Sequence, residues 1–329
     1  DIILTKTGCI GYCKEEPLVN ITIPKKPLVI LHKITEADAE EIVRQVCKGK
    51  VPADKALCRV LSWDHITGCT LEYGKGFTKI PLYGKVPFFK GQQKVILRDA
   101  GLINPEDIDE YIAVGGYAAA TKALTGMDPE AIIKEVEKSG LRGRGGAGFP
   151  TGLKWRITRD AKAEKKYIIC NADEGDPGAY MNRNEMESDP HMLIEGMIIG
   201  AFAMGAAEGL IYIRAEYPLA IKRLKLALLQ AREYGLLGNN IFGTGFSFDI
   251  DIATGAGAFV CKDHRKIFFR CIAVEVPVNP QDRCHAAGPK APGNLKREFF
   301  VLRGDGELTV LRGVALDSQH PFKSLQDPG

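Results

Sequence analysis

The stretch KKYIICNADEGDPGAY, from Lys165 to Tyr180, decides the fold. Tyr167 to Cys170 is a short apolar run suited to a buried strand, and Asp173, Glu174 and Asp176 follow at its carboxyl end. An apolar helix is expected next, from about Pro190 to Gly205, then a strand in LIYIRAEYP and a helix from Pro218 to Tyr234. GTGFSFDIDIATGAGAFVC adds a further strand and a second glycine-rich turn. Apolar strands alternating with helices belong to an α/β fold whose parallel sheet is covered on both faces. YIIC, LIYIR and SFDIDI are therefore expected in one parallel sheet. Open sheets of this class bind ligands beyond the carboxyl ends of their strands. Carboxylates placed there do not bind phosphate, but they accept from ring N–H, ribose hydroxyl or carboxamide groups. The plainer alternative is a turn whose acids cap a helix.

Working outward, GLRGRGGAGFPTGLKW runs from Gly140 to Trp155, with five glycines between Gly140 and Gly148. Gly143, Gly145 and Gly148 match the pattern G-x-G-x-x-G. The dinucleotide fingerprint places such glycines after a strand and at the opening of a helix. Here the helical pattern AIIKEVEKS precedes them, and Pro150 and Gly152 argue against a helix starting within the fingerprint. The ordinary Rossmann reading therefore fails its context test. Clustered glycines still bring backbone N–H groups close to an anion, and Arg144 and Lys154 add charge-assisted hydrogen bonds. A mobile surface loop with solvated basic residues is the competing reading.

The chain has 329 residues, with 44 basic and 41 acidic side chains and a net charge of +3. That balance does not suggest nucleic acid or an anionic membrane as a main partner. The most apolar stretch, Met197 to Ile213, is bounded by Glu195 and Glu208 and is too short for a transmembrane segment. No signal peptide is visible, and nine cysteines make an odd count. Both point to a reducing compartment, the cytoplasm, rather than to a disulfide framework. Cys9 and Cys13 form a tight C-x-x-x-C turn, followed by strands in LVNITI and PLVILHKI and by a helix for which Thr35 is the expected N-cap. Strand, strand, helix reads as the closing half of a small α/β domain. NPED, with Pro105 at the first helical position, and DPEAIIKEVEKSG, ending at Gly140, start further helices.

Six blocks together carry a family resemblance: GLRGRGGAGFPTGLKW, NADEGDPGAY, DPHMLIEGMIIGAFAMGA, YIRAEYPLAIKRL, GLLGNNIFGTGFSFDI and GAGAFVC. They resemble the FMN- and NADH-binding subunit of complex I-type NADH dehydrogenases. The opening TGCIGYCKEEPLV makes the chain most similar to the diaphorase subunit of soluble, multimeric NAD(P)-linked [FeFe] hydrogenases, in which a thioredoxin-like [2Fe-2S] domain precedes the flavin domain. The resemblance covers roughly residues 1 to 261. It implies a Rossmann-like FMN-binding domain with a parallel sheet, preceded by the C-terminal half of a thioredoxin-like domain. It also implies an NAD(P)H dehydrogenase activity: hydride passes from NAD(P)H to FMN, and electrons leave singly to iron–sulfur clusters, or the reverse. The implied partners are other subunits of a multimeric iron–sulfur oxidoreductase or hydrogenase. Carried over residue by residue, Gly143, Arg144, Gly145, Gly146 and Lys154 contact FMN and the dinucleotide, and Phe149 stacks on adenine. Asn171, Asp173 and Glu174 bind the flavin, Asp176 faces NADH, and Phe259 belongs to the cofactor site. Cys9 and Cys13 match the second ligand pair of the [2Fe-2S] cluster.

The chain departs from the family pattern after GAGAFVC, where the family continues G-E-E-T and this sequence reads KDHRKIFFRC. Lys262 stands at a glycine position, and Asp263 and His264 stand at two acids. The paired asparagines that complete the flavin site and the C-terminal [4Fe-4S] ligands are absent, and the first [2Fe-2S] ligand pair lies before Asp1. The expected organisation is residues 1–50, partial thioredoxin-like domain; 51–125, linker and arm; 126–262, FMN/NADH domain; and 263–329, an unrecognised tail read as a frameshift or fusion. Only REFFVLRGDGELTVLRGV in that tail looks ordered, as a hairpin, and Cys271, Cys284 and His285 read as ordinary residues. The alternative to an electron-input flavoprotein is a truncated scaffold that cannot hold FMN.

Overall fold

The computed structural model describes residues 2–64, 70–144, 147–176 and 178–255, together with the backbone of strands at 274–276, 298–302 and 308–312. The first unit opens with a 3-10 turn, Cys13–Glu15, then strand β1 (Val19–Ile21), strand β2 (Leu28–Leu31), helix α1 (Ala39–Val46) and strand β3 (Ala56–Val60). These strands form an antiparallel sheet in the order β1-β2-β3. β3 thus extends this sheet beyond residue 50, where the sequence reading ends the partial domain. β2 is buried at all four positions because both faces are covered. Leu28 and Ile30 pack with Ile10, Cys58, Val60 and Phe89, and Val29 and Leu31 pack with Ile21, Ile42 and Ile80. Before α1, Thr35 and Asp38 form a reciprocal capping box, as the expected N-cap requires. A hairpin of β4 (Ser62–Asp64) and β5 (Thr70–Glu72) follows.

Helices α2 (Ile108–Ala113), α3 (Ala118–Gly126), α4 (Pro129–Ser139) and α5 (Thr151–Asp160) come next. α2 begins later than NPED suggests: the Asn104 side chain accepts from Glu106 N at 3.1 Å in a local turn, and Asp107 is the true N-cap. α4 has both expected ends. Asp128 Oδ1 accepts from Ala131 N at 2.8 Å, and Gly140 closes the helix with φ 68°.

β6 (Lys165–Ala172), α6 (Met181–Ser188), α7 (Pro190–Met204), β7 (Glu208–Arg214), α8 (Pro218–Glu233) and β8 (Asp249–Gly255) complete the main unit. β6 pairs with β7 and β7 with β8, both parallel, so YIIC, LIYIR and SFDIDI share one sheet as expected. In the tail, β9 (Val274–Val276) joins β6 antiparallel, and β10 (Glu298–Leu302) and β11 (Leu308–Arg312) form the expected hairpin. The sheet order becomes β11-β10-β9-β6-β7-β8. The hairpin's turn, Lys262, Asp263, His264, Cys271, Cys284 and His285 lie outside the described residues.

The main core combines Ile194, Ile198 and Met204 of α7 with Ile211 and Ile213 of β7, Leu224 of α8 and Ile250 of β8. Within it, Glu195 on α7 is a buried carboxylate whose lone pairs are satisfied by α2 and the start of α3. It accepts from Tyr111 Oη at 2.5 Å and from Tyr117 N and Ala120 N at 2.9 Å each, and so holds the N-terminus of α3 against α7. Beside it, Tyr117 Oη lies 2.8 Å from His191 Nδ1, and burial pushes the His191 pKa down to about 4. Replacing Glu195 with Leu strands three buried donors at about 1–3 kcal/mol each. Urea denaturation of Glu195→Leu is expected to show a loss of at least about 3 kcal/mol, and a loss below about 1 kcal/mol contradicts this account.

Candidate functional site

The glycine loop joins α4 to α5, which begins at Thr151, directly after Pro150 and beyond the fingerprint, in keeping with the sequence reading that no helix starts within it. Gly152 is compatible with that helix because it sits where α5 meets α4. A Cβ there lies 2.7 Å from Glu137 N, so only glycine allows the two backbones this close. Arg156, one turn later, locks the contact. Its Nε and Nη2 donate to the two Glu137 carboxylate oxygens at 2.8 Å each, and Nη1 donates to Glu130 at 2.8 Å. With its ends held, the loop closes as a narrow hairpin, with Gly143 N donating to Phe149 O and Thr151 N to Leu141 O, each at 2.9 Å. Arg142 Nη1 donates to Gly148 O at 3.0 Å. Gly148 has φ 62°, a conformation glycine adopts freely, whereas a Cβ at Gly143 would make only an ordinary contact. Arg144 is exposed, Phe149 is half-buried, and Gly145 and Gly146 lie outside the described residues, as does Phe259. Lys154 sits in the first turn of α5, and burial lowers its pKa.

Two contacts set the direction of α5 relative to β6. Lys166, near the start of β6, donates to the carbonyl of Arg159, near the end of α5. Trp155, near the start of α5, meets Ile168 of β6 across Gly200. The two elements therefore run in opposite directions, and the start of α5 faces the carboxyl end of β6.

At that end, Asn171 Oδ1 accepts from Asp173 N at 3.0 Å, which turns the chain out of the sheet. Glu174 behaves as the capping alternative anticipates, since its carboxylate oxygens accept from Asn182 N and Arg183 N of α6 at 3.1 Å each. Its carbonyl accepts from Arg214 Nη1 at 2.9 Å and Tyr217 Oη at 2.8 Å. Asp173 is half-buried; burial raises its pKa, and the Arg214 guanidinium, 3.7 Å away, opposes that shift. Asp176 is exposed, and its carbonyl accepts from Ala179 N at 3.1 Å.

Sequence reasoning missed Arg214, Tyr217 and Glu185. Arg214 ends β7, where parallel pairing of Ala172 with Ile213 brings it beside Asp173. Among the described residues its Nε is buried without a hydrogen-bond partner, and its guanidinium stands 5.6 Å from the Tyr217 ring. The available signal was alignment of strand ends in a parallel sheet. Glu185 on α6 carried no motif signal. Burial first, and then the charge of Glu174, raise its pKa to about 7, and burial together with Glu185 pushes the Cys170 thiol up to about 12.

In the first unit, the Cys9 and Cys13 sulfurs and a Glu16 carboxylate oxygen lie within 4.8 Å of one another. Gly11 N donates to Cys9 Sγ at 3.3 Å, and burial pushes the Cys9 pKa up to about 11. Tyr12 stacks on Phe88 with centroids 4.0 Å apart, and Lys94 Nζ donates to Ile10 O at 3.0 Å, so the turn is anchored on residues 88–94. Among the described residues no further cysteine or histidine joins this group.

Residues 136–285 match the Nuo51 FMN-binding domain family. The match runs past residue 262, where the motif resemblance was expected to stop. The chain is 59% identical over 174 residues to the HndC component of the NADP-reducing hydrogenase of Solidesulfovibrio fructosivorans, covering 53% of this chain and 35% of that protein. It is 50% identical over 229 residues to an NADH-quinone oxidoreductase component of Aquifex aeolicus, covering 69% of this chain and 50% of that protein. It is 36% identical over 270 residues to the alpha component of the NAD-reducing hydrogenase HoxS of Cupriavidus necator, covering 82% and 40%. The chain thus spans between 35% and 50% of the length of these relatives. Among the described residues no helix is long and apolar enough to cross a membrane.

The folded chain holds the Glu185 proton more tightly than the unfolded chain does, so ionising it costs stability as pH rises from 4.5 toward about 7. Glu185→Gln is expected to raise the thermal midpoint relative to the parent above pH 7 and to leave it nearly unchanged below pH 4.5. Melting curves across that range that run parallel for the two proteins refute the assignment.

Proposed function

We propose that this chain, whose residues 136–285 match the Nuo51 FMN-binding domain, is the electron-input flavoprotein subunit of a cytoplasmic multisubunit NAD(P)H-linked oxidoreductase such as a hydrogenase. What supports this reading is that α5 runs back along β6, so the basic glycine loop before α5 and the acidic turn after β6 lie toward the same end of the parallel sheet. A flavin nucleotide needs that pairing, because its phosphate requires backbone N–H groups and cations while its ring and ribitol present donors. The orphaned Nε of Arg214 and the desolvated carboxyl of Asp173 at the same edge also fit a polar ligand.

In this reading Gly143, Arg144, Gly145, Gly146 and Lys154 hold phosphate, and Asn171 and Asp173 hold the flavin. Phe149 stacks on adenine, Asp176 faces the nicotinamide nucleotide, and Phe259 completes the cofactor site. Glu174, with its carboxylate on the end of α6, serves by fixing the turn that carries Asp173. Bound FMN supplies the conversion between a hydride taken from NAD(P)H and single electrons passed on to iron–sulfur centres. The protein's part is to bind, orient and desolvate; no side chain acts as a catalytic acid or base. Cys9 and Cys13 fit the two thiolates of one iron in a [2Fe-2S] cluster, being two sulfurs brought together on a braced turn. Residues 1–50 together with β3 belong to the cluster-bearing unit, the rest of the chain to residue 125 forms the arm, and 126–262 form the flavin domain. The family match beyond residue 262 disfavours a scaffold that cannot hold FMN.

The decisive experiment is titration of the chain with FMN, followed by quenching of flavin fluorescence, with NADH-dependent ferricyanide reduction as a second readout. One charge-assisted contact contributes about 1.5–3 kcal/mol, or about tenfold to 150-fold in affinity. Arg144→Ala and Lys154→Ala should each weaken FMN or NADH binding by that factor without lowering the melting temperature. Unchanged affinity for both nucleotides in both variants sinks the site.

A further inference from the structure

Two loops of the first unit, far in sequence from the flavin site, pack against one another and carry only positive charge. The turn between β1 and β2 reads Pro24-Lys25-Lys26-Pro27, and the segment after β5 reads YGKGFTK, from Tyr73 to Lys79. Gly74 lies directly on the Lys25 backbone, where a Cβ would collide with the Lys25 carbonyl. A Cβ at Gly76 would lie 3.5 Å from Lys26 Cδ, and Lys26 Nζ stands 5.9 Å from the Phe77 ring centroid. Arg59 pins the second loop from beneath, donating from Nη1 to Gly76 O at 3.0 Å and from Nε to Ile80 O at 2.8 Å. Lys25 and Phe77 both have left-handed backbones, with φ 63° and 49°. Non-glycine residues adopt that conformation only where surrounding contacts impose it, and such positions concentrate at functional surfaces.

Lys25, Lys26, Lys75 and Lys79 are all exposed on these two loops. None of them takes part in an ion pair among the described residues. The sequence supplies no local counter-charge, since no acid lies between Glu16 and Glu36 or between Glu72 and Asp99. Four ammonium groups on a braced double loop make a preorganised positive face, which attracts and orients an anionic partner. We infer that this double loop is a docking surface for an acidic protein face, dense in Asp and Glu. A nucleic acid fits less well: Phe77 is covered by Lys26 and so is not free to stack a base, and Arg59 commits two donors to backbone carbonyls. The inference is independent of the flavin reading, because it uses none of the residues in that site.

The test is fluorescence anisotropy of a fluorescein-labelled oligo-glutamate peptide titrated with the full chain at low ionic strength. Amide hydrogen exchange would be followed at residues 23–27 and 73–80 in the same samples. Binding is expected to fall with added salt and to protect both loops. The combined variant Lys25→Glu, Lys26→Glu, Lys75→Glu, Lys79→Glu should weaken it by about tenfold or more, the product of four modest exposed contacts. All four side chains are exposed, so its circular dichroism and melting temperature should match the parent. The control variant Lys222→Glu, Lys225→Glu, on the exposed face of α8, should bind like the parent. Equal weakening in the control overturns the proposal. So does the absence of protection at the two loops, or tighter binding of an oligo-uridine RNA or of phosphatidylserine vesicles than of oligo-glutamate.

Discussion

The closeness of α5 to α4 at Gly152 is the constraint on which the candidate site depends. A helix interior ordinarily disfavours glycine, and it stands here because the Glu137 backbone occupies the space a Cβ would need. Arg156 then spans the two helices with a bidentate grip on Glu137 and a third bond to Glu130. Once the ends of the loop are held in this way, its backbone pairs across the neck, Gly143 with Phe149 and Leu141 with Thr151. The clamped helices beneath the loop are what the proposed phosphate cradle would be built on.

At the opposite side of the same edge the acids divide their labour by environment. Glu174 is committed to the backbone of α6, Asp173 is desolvated beside Arg214, and Asp176 faces solvent. Three neighbouring carboxylates in sequence thus hold three different roles, which composition cannot separate. Glu185 joins them from α6, where burial and then the charge of Glu174 raise its pKa to about 7. A ligand that brought positive charge or hydrogen-bond donors to this edge would relieve that crowding, in keeping with a nucleotide whose ring and ribitol face the acids.

The first unit follows a different logic. Its central strand, β2, is covered on both faces, so a three-stranded sheet of modest size gains two small cores instead of one. The cysteine turn is braced from outside that sheet, by the stacking of Tyr12 on Phe88 and by Lys94. The arm that links the two units in sequence therefore also supports the candidate cluster ligands, which a division of the chain at residue 50 does not convey.

The sequence by itself determined the elements whose signals are local. Asp128 and Gly140 bound α4 because a capping carboxylate and a left-handed glycine act within one turn, and YIIC, LIYIR and SFDIDI entered one parallel sheet because strand signals alternate with helices along the chain. Tertiary structure alone decided what depends on a distant neighbour. α5 carries Gly152 in its first turn because α4 requires a close approach there; Glu195 is tolerated in the core because three donors converge on it; and Arg214 reaches the site because β7 ends in register with β6. Propensity and periodicity are properties of a few consecutive residues, whereas the desolvation of a carboxylate, the room for a Cβ and the partner of a guanidinium are set by chain segments that meet only when the fold closes.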